Sequence, residues 1–377
     1  MKPMMIALII LVLVNYSISE DLSKYYKEFI KNNGYTLEEH DVTTEDGYIL
    51  SLWHFKTKAS PVNKVAYFQH GLIDTAWCFF QTESQSLPFL LAKQGYDIWL
   101  GNSRGNIFSQ RHTKMDPKNK KSAFYNFCMD DKVKYDLPAT IDYIKKKTGV
   151  KKMTYIGHSQ GTTIFFMLYM HNPTLVEASF DHFVALGAVP NIAHATFSPL
   201  KLLETMTKFL KKFSIDIGML QLSNTQRTVI SGFCKNVPSI CEGIFQSLAN
   251  THKNKRMDYK KLYNYLYYYP GGTSKLNLMQ WNEIYKAKKL VYYNEDPNKI
   301  VPYNVDKLKN WKVKAFVLRT DSDPFSSYED VTEVYNRLEN KSYMTLLDLN
   351  DYGHLDVLCG KTAYEDIFSK IITFLKK

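Results

Sequence analysis

Beyond its N-terminus the chain lacks any apolar run that approaches membrane-spanning length, so the sequence offers no second segment to cross a bilayer. The N-terminal run, Met4 to Val14, is itself too short to span as a stable helix. Lys2 precedes it and Ser17 and Ser19 follow it, so residues 1–19 read as a secretory signal peptide cleaved near Ser19 and Glu20, with a retained signal anchor as the alternative. Cysteine is sparse. Cys78, Cys128, Cys234, Cys241 and Cys359 make an odd set of five, so at least one has no partner within the chain. No spacing among them suggests zinc. Cys234 and Cys241 enclose a short loop containing Pro238 and are the expected pair in an oxidising compartment. A P-loop is missing too: the polar loop Gly101-Asn102-Ser103-Arg104-Gly105-Asn106 has no Lys-Ser/Thr ending and reads as structural. The net charge of +11 is dispersed over Lys118 to Lys121, Lys145 to Lys147, Lys151-Lys152 and Lys211-Lys212, with no nucleic-acid motif beside any of them. These read as solvated faces, with attraction to anionic lipid surfaces as the second reading, and nucleic acid is not an expected partner.

What the chain does have is an ordinary globular composition, 45% hydrophobic and 14% aromatic over 377 residues, enough to bury a large core. Its organising stretch is KMTYIGHSQGTTIFFMLYM, Lys152 to Met170. A short apolar strand, Met153 to Ile156, runs into Gly157-His158-Ser159-Gln160-Gly161 and then into an apolar segment long enough for a helix. A serine at the tip of such a strand-turn-helix is forced out of the sheet, and small neighbours let the two elements approach. The backbone N–H of Gln160 then opens the helix, where an unpaired donor and the positive dipole end stabilise an oxyanion. The alternative is a serine that merely caps the helix.

Upstream, a helix over Tyr25 to Asn32 leads into alternating strands broken at Glu45-Asp46-Gly47, an antiparallel start. The compact strand Lys64 to Gln69 ends in His70-Gly71-Leu72, where the backbone N–H of Leu72 is placed as a second oxyanion donor. A helix over Leu87 to Gln94, a strand over Tyr96 to Leu100, a helix over Tyr135 to Lys147 and a strand over Phe183 to Val189 complete an alternation that implies a parallel sheet with helices on both faces. From Pro190 to about Trp311 the pattern becomes helical, with segments at Lys201 to Phe213, Gln226 to Phe233, Gly243 to Leu248 and Lys261 to Tyr269. Such an insertion has no place inside a sheet and is expected as a cap over the strand ends. Its tyrosine run, Tyr263 to Tyr269, and its Met219-Leu220-Leu222 group read either as the lining of an acyl pocket or lid, or as ordinary cap core. Strands return at KAFVLR and at Met344 to Leu349, and a helix over Glu365 to Leu375 closes the chain.

A serine nucleophile needs a histidine base and a carboxylate that orients it, and both belong on loops after late strands, in the order Ser, Asp, His. Asp323 and His354 stand there. Of the ten histidines, His158 lies inside the turn, His70 at the oxyanion strand, and the remaining seven have no strand-end acid in the matching order. Asn340-Lys341-Ser342 is a glycosylation sequon, so Asn340 is an expected modification site.

With YTLEEHDVTTEDGYIL, FQHGL, DIWLGNSRGN, KYDLPATIDYI, YIGHSQGTT, FVALGAV, PGGTSKLNLMQW and YGHLD in this order, the chain resembles the acid lipase family of gastric and lysosomal lipases over nearly all its mature length. The resemblance implies an α/β-hydrolase fold, a mostly parallel sheet with helices on both faces and an inserted helical cap. The expected divisions are core over 20–190, cap or lid over 191–311 and core again over 312–377. It places the nucleophile at Ser159, the acid at Asp323, the base at His354 and the oxyanion donors at Leu72 and Gln160, and a cap disulfide at Cys234 and Cys241. The acid loop departs from the family pattern, with Arg319-Thr320-Asp321 before and Pro324-Phe325-Ser326-Ser327 after, so Asp321 stands as a rival to Asp323. The expected activity is hydrolysis of neutral lipid esters, triacylglycerols or sterol esters, at an oil-water or membrane interface. The protein would be secreted or lysosomal, with no metal, no cofactor and no obligate protein partner. The alternative is a non-catalytic lipid-binding or carrier protein on the same fold, whose mark would be a broken constellation.

Overall fold

The computed structural model describes residues 22–55, 63–119, 122–195, 224–237, 256–258, 262–296 and 298–377. The expected signal peptide, the segments Lys201 to Phe213 and Gly243 to Leu248, the Met219-Leu220-Leu222 group and Cys241 lie outside them. Among the described residues no helix is long and apolar enough to cross a membrane.

Helix α1 (Leu22–Asn32) leads into β1 (Leu37–Thr43) and β2 (Tyr48–Phe55). These form the expected antiparallel hairpin, with Leu37 opposite Phe55 and Thr43 opposite Ile49. Gly47 takes φ +96° at the turn, a conformation that needs no Cβ. There follow β3 (Val65–Gln69), α2 (Leu87–Lys93), β4 (Asp97–Gly101), a two-residue β5 (Arg111–His112), α3 (Leu137–Thr148), β6 (Met153–His158), α4 (Gln160–His171), α5 (Pro173–Ser179) and β7 (Phe180–Leu186). After α6 (Asn224–Asn236) and α7 (Leu262–Leu266) come α8 (Lys275–Ala287) and the small β8 (Val291–Tyr292) and β9 (Val301–Pro302) pair. The chain ends with β10 (Lys314–Thr320), α9 (Tyr328–Arg337), β11 (Met344–Leu349) and α10 (Ser369–Phe374).

The main sheet runs β1-β2-β4-β3-β6-β7-β10-β11, with β5 attached to β2. From β4 onward every neighbouring pair is parallel. Parallel neighbours need crossovers long enough for helices, and the helices bury both faces of the sheet. Alternate strand residues accordingly belong to two cores. Tyr67, Tyr155, Phe183, Ala185 and Val317 meet Ile141, Ile144, Phe165 and Val331 on one face. Phe68, Ile156, Val184, Leu186 and Leu318 meet Tyr26, Ile30, Leu91 and Ile371 on the other.

Three elements differ in extent from the sequence pattern. Strand β7 begins at Phe180, where α5 runs straight into it, and ends at Leu186 because Gly187 turns the chain with φ +55°. The helices expected over Tyr135 to Lys147 and Glu365 to Leu375 each open with a wider π turn, Lys132–Asp136 and Tyr364–Phe368.

Within the span 191–311, Trp281, Ile284, Leu290, Val291, Tyr303 and Leu308 are buried in the same core as α3 and α4. The part from α8 onward therefore packs onto the sheet assembly itself. Of the tyrosine run, Tyr265 and Tyr268 are buried in the opposite core, Tyr268 edge-on to Trp77 with centroids 5.3 Å apart, and Tyr263, Tyr267 and Tyr269 are partly buried against it. Cys234 is disulfide-bonded, whereas Cys78, Cys128 and Cys359 are free. Asn340 is exposed, as a glycan acceptor must be.

Candidate active site

Between β6 and α4 the backbone makes a sharp turn, and Ser159 sits at its tip with φ +53° and ψ −123°. A side chain in this region costs about 1–3 kcal/mol, so surrounding contacts must hold it there. They do: the Ser159 N–H donates to the Leu186 carbonyl at 3.1 Å, and the Thr162 N–H donates to the Ser159 carbonyl at 2.8 Å. The flanking glycines are needed because the elements touch. A Cβ on Gly161 would collide with the Gln69 carbonyl, and one on Gly157 would lie 2.9 Å from the Gly161 carbonyl carbon.

The loop after β11 brings His354 to this serine. Ser159 Oγ lies 2.7 Å from His354 Nε2, and His354 Nδ1 lies 2.7 Å from Asp323 Oδ2, on the loop after β10. The other Asp323 oxygen accepts the N–H groups of Phe325 and Ser326, at 2.8 and 2.9 Å. Burial pushes this carboxyl up, but the adjacent His354 and the two amides outweigh it and hold the group below its ordinary range. A carboxylate that stays ionised fixes the imidazole with Nδ1–H toward itself and the Nε2 lone pair toward the serine hydroxyl. The rival, Asp321, is exposed and faces away. Its Oδ1 accepts the Asp351 N–H at 2.8 Å and the Ser322 hydroxyl at 3.0 Å, tying the two loops together.

The expected oxyanion donors flank Ser159. Gln160 is the first residue of α4, whose N–H has no acceptor within the helix. Leu72 follows Gly71, and a Cβ on Gly71 would stand 2.9 Å from the Ser159 Cβ, so this turn lies directly against the serine. His70 holds the turn from behind. Its Nδ1–H donates to the Gly71 carbonyl at 2.8 Å, and its Nε2 accepts the Ser103 N–H at 3.0 Å. Burial pushes His70 down to about 3, so it stays neutral. The polar loop 101–106 is thus structural, as its sequence indicates, and its task is to anchor the His-Gly turn.

Two supports were not legible as site residues. His158 donates from Nε2 to the His354 carbonyl at 3.1 Å, and burial, reinforced by the neighbouring His354, pushes it down to about 3. A neutral histidine therefore holds the backbone of the base. Second, the Gln160 side chain is clamped by α8: its Oε1 accepts from Trp281 Nε1 at 2.7 Å and from Asn277 Nδ2 at 3.1 Å. Both partners lie in PGGTSKLNLMQW, a block whose sequence carries a resemblance but no visible chemistry.

A hydroxyl, an imidazole and a carboxylate in line form an arrangement that can attack a carbonyl, with the start of α4 and the Gly71-Leu72 turn adjacent to the serine. Residues 26–83 match the family described as the partial alpha/beta-hydrolase lipase region, and residues 67–360 match the alpha/beta hydrolase fold family. Lipase member K of Homo sapiens is 33% identical over 364 residues, 91% of this chain and 88% of that protein. Gastric triacylglycerol lipase of Mus musculus is 33% identical over 365 residues, 91% of this chain and 89% of that protein. Among solved structures, an esterase of Pyrococcus furiosus superimposes with a TM-score of 0.52 at 13% identity, over 97% of this chain and 95% of that one, a likeness of fold alone.

Proposed function

The chain belongs to the acid lipase family of α/β hydrolases and is a lipase; from that premise we propose that it cleaves neutral lipid esters, triacylglycerols or sterol esters, through an acyl-enzyme on Ser159. The observation that carries this reading is the unbroken line from Ser159 Oγ through His354 to Asp323, two contacts of 2.7 Å each. In the proposed cycle His354 takes the serine proton as Oγ attacks the ester carbonyl, and the Leu72 and Gln160 amides hold the oxyanion. The alcohol leaves with that proton. Water, deprotonated by the same imidazole, then attacks the acyl-enzyme and releases the fatty acid. As the acyl bond breaks, the imidazolium returns its proton to Ser159 Oγ.

The triad alone would serve any soluble ester, so the preference for lipid rests on the family. Action at an oil-water or membrane interface, with a lid in the 191–311 span, belongs to the same proposal, as do entry into the secretory pathway and a glycan on Asn340. The test has two parts. A fluorophosphonate should label the protein at Ser159 and leave Ser159→Ala unlabelled. Fatty-acid release should rise as a triacylglycerol passes its solubility limit and fall about 10⁴-fold or more in Ser159→Ala. A protein that bound lipid but resisted the label would be a carrier, and equal rates below and above the solubility limit would remove the interfacial part.

A further inference from the structure

At the antiparallel edge of the sheet, far along the strand order from β6, three metal-ligating side chains meet on one face. Glu38 and His40 are two apart on β1, and His54 on β2 is the register partner of Glu38. His40 Nε2 lies 3.3 Å from His54 Nδ1, and one Glu38 carboxylate oxygen, Oε2, lies 3.5 Å from each. Ligand atoms on a tetrahedral zinc ion, bound at about 2.0–2.2 Å, are separated by about 3.3–3.6 Å. The triangle thus already has the edge lengths of one face of that tetrahedron.

The outer partners prepare the rings for such a role. The buried Asp97 carboxylate receives the Nε2 proton of His54, at 3.0 and 3.1 Å, which leaves the His54 Nδ1 lone pair directed into the triangle. His40 Nδ1 meets the Tyr143 hydroxyl at 3.1 Å, so that ring too can turn an Nε2 lone pair inward. Trp99 stacks on the His54 ring at 3.8 Å and donates its indole N–H to Asp97 at 2.8 Å, fixing the orientation of both. A carboxylate or hydroxyl on the second nitrogen of each histidine is the usual support of a metal ligand. The side chain of His54 is 4% exposed and that of Glu38 44%, so the triangle has a buried inner side and its carboxylate reaches solvent, from which water can supply a fourth ligand.

We propose that Glu38, His40 and His54 bind one divalent transition ion, Zn²⁺ or an ion of similar chemistry, which clips β1 to β2 at the sheet edge. A mixed nitrogen and carboxylate set suits zinc, and a cross-strand clip reinforces the hairpin that begins the fold. The site is separate from the triad and the proposed hydrolysis does not depend on it.

The full-length protein, stripped with a chelator, should be titrated with ZnCl₂ by calorimetry while its melting temperature is followed, and loaded with Co²⁺ for its visible spectrum. One equivalent should bind, raise the melting temperature saturably and give the intense absorption of four-coordinate Co²⁺. Glu38→Gln and His40→Gln change side chains at the surface side of the site and should keep the fold. Each should abolish the Co²⁺ band and weaken Zn²⁺ binding beyond the effect of Tyr143→Phe, expected at about 10- to 100-fold. Failure of the wild-type protein to bind would overturn the proposal and leave the triangle as a proton-sharing hydrogen-bond cluster. Binding unchanged in both variants would overturn it equally, and would place the ion elsewhere, the buried group of Asp74, Cys78 and His158 included.

Discussion

Two aspartates stand two positions apart on the loop after β10, and their burial and hydrogen bonds separate them. Asp323 is buried against His354 and receives two amides, whereas Asp321 is exposed and receives the Asp351 amide. Removing the charge of Asp323 while keeping its shape leaves His354 free to adopt the wrong tautomer, so Asp323→Asn should lower kcat by about 10⁴-fold with KM little changed. Asp321→Asn removes one exposed contact and should change kcat by less than about tenfold. Steady-state kinetics on a short-chain ester checks both. Reversed magnitudes would make Asp321 the acid.

Among the elements, α8 matters most to the site because it grips α4 at the residue after the serine. Ser274 caps its N-terminus by accepting the Asn277 N–H at 3.0 Å, which sets the helix start and hence the position of Asn277 and Trp281. Gln160, buried between them, cannot turn without breaking two hydrogen bonds. Trp281→Phe keeps most of the packing and deletes the shorter one. It should destabilise the protein by about 1–3 kcal/mol, read from denaturant melts, and lower kcat more than it raises KM, since the Gln160 amide in its proposed role acts only when the oxyanion forms. A variant with lowered stability and unaltered kcat would make the clamp a purely structural one.

Across the whole molecule, buried groups titrate in opposition. Burial pushes Asp74 up to about 7 and Asp356 to about 6, although Tyr265 and the Thr75 amide bond the former and the Gly353 amide the latter. The folded chain therefore holds protons that the unfolded chain releases, and this contribution grows as pH falls from about 7 toward 4. His70 and His158, pushed down to about 3 by burial, act the other way. The unfolded chain takes up protons below about 6.5 that the folded chain refuses, so their contribution is lost between about 6.5 and 3. Asp323, held low, adds a loss at the acid end as pH falls through its lowered value. The melting temperature should thus vary little between about pH 7 and 5 and fall steeply below about pH 4. Asp74→Asn removes the largest acid-side gain, so its melting temperature should decline between pH 7 and 5. A parallel profile in wild type and variant would show that Asp74 does not titrate there.

The sequence by itself determined what is local or periodic. The strand, turn and helix around Ser159 were legible because a sharp turn requires glycines in contact with neighbours, and the alternation of strands and helices implied the parallel sheet. The order Ser159, Asp323, His354 was visible because each residue follows a strand end. Only the tertiary structure shows which of Asp321 and Asp323 lies against His354, since two carboxylates two positions apart on one loop carry no local signal of which the fold turns inward. It alone gave His158 and Trp281 their parts, because each meets its partner more than a hundred residues away. The meeting of Glu38, His40 and His54 needed the β1–β2 register, in which a shift of one residue would send one strand's side chains to the opposite face.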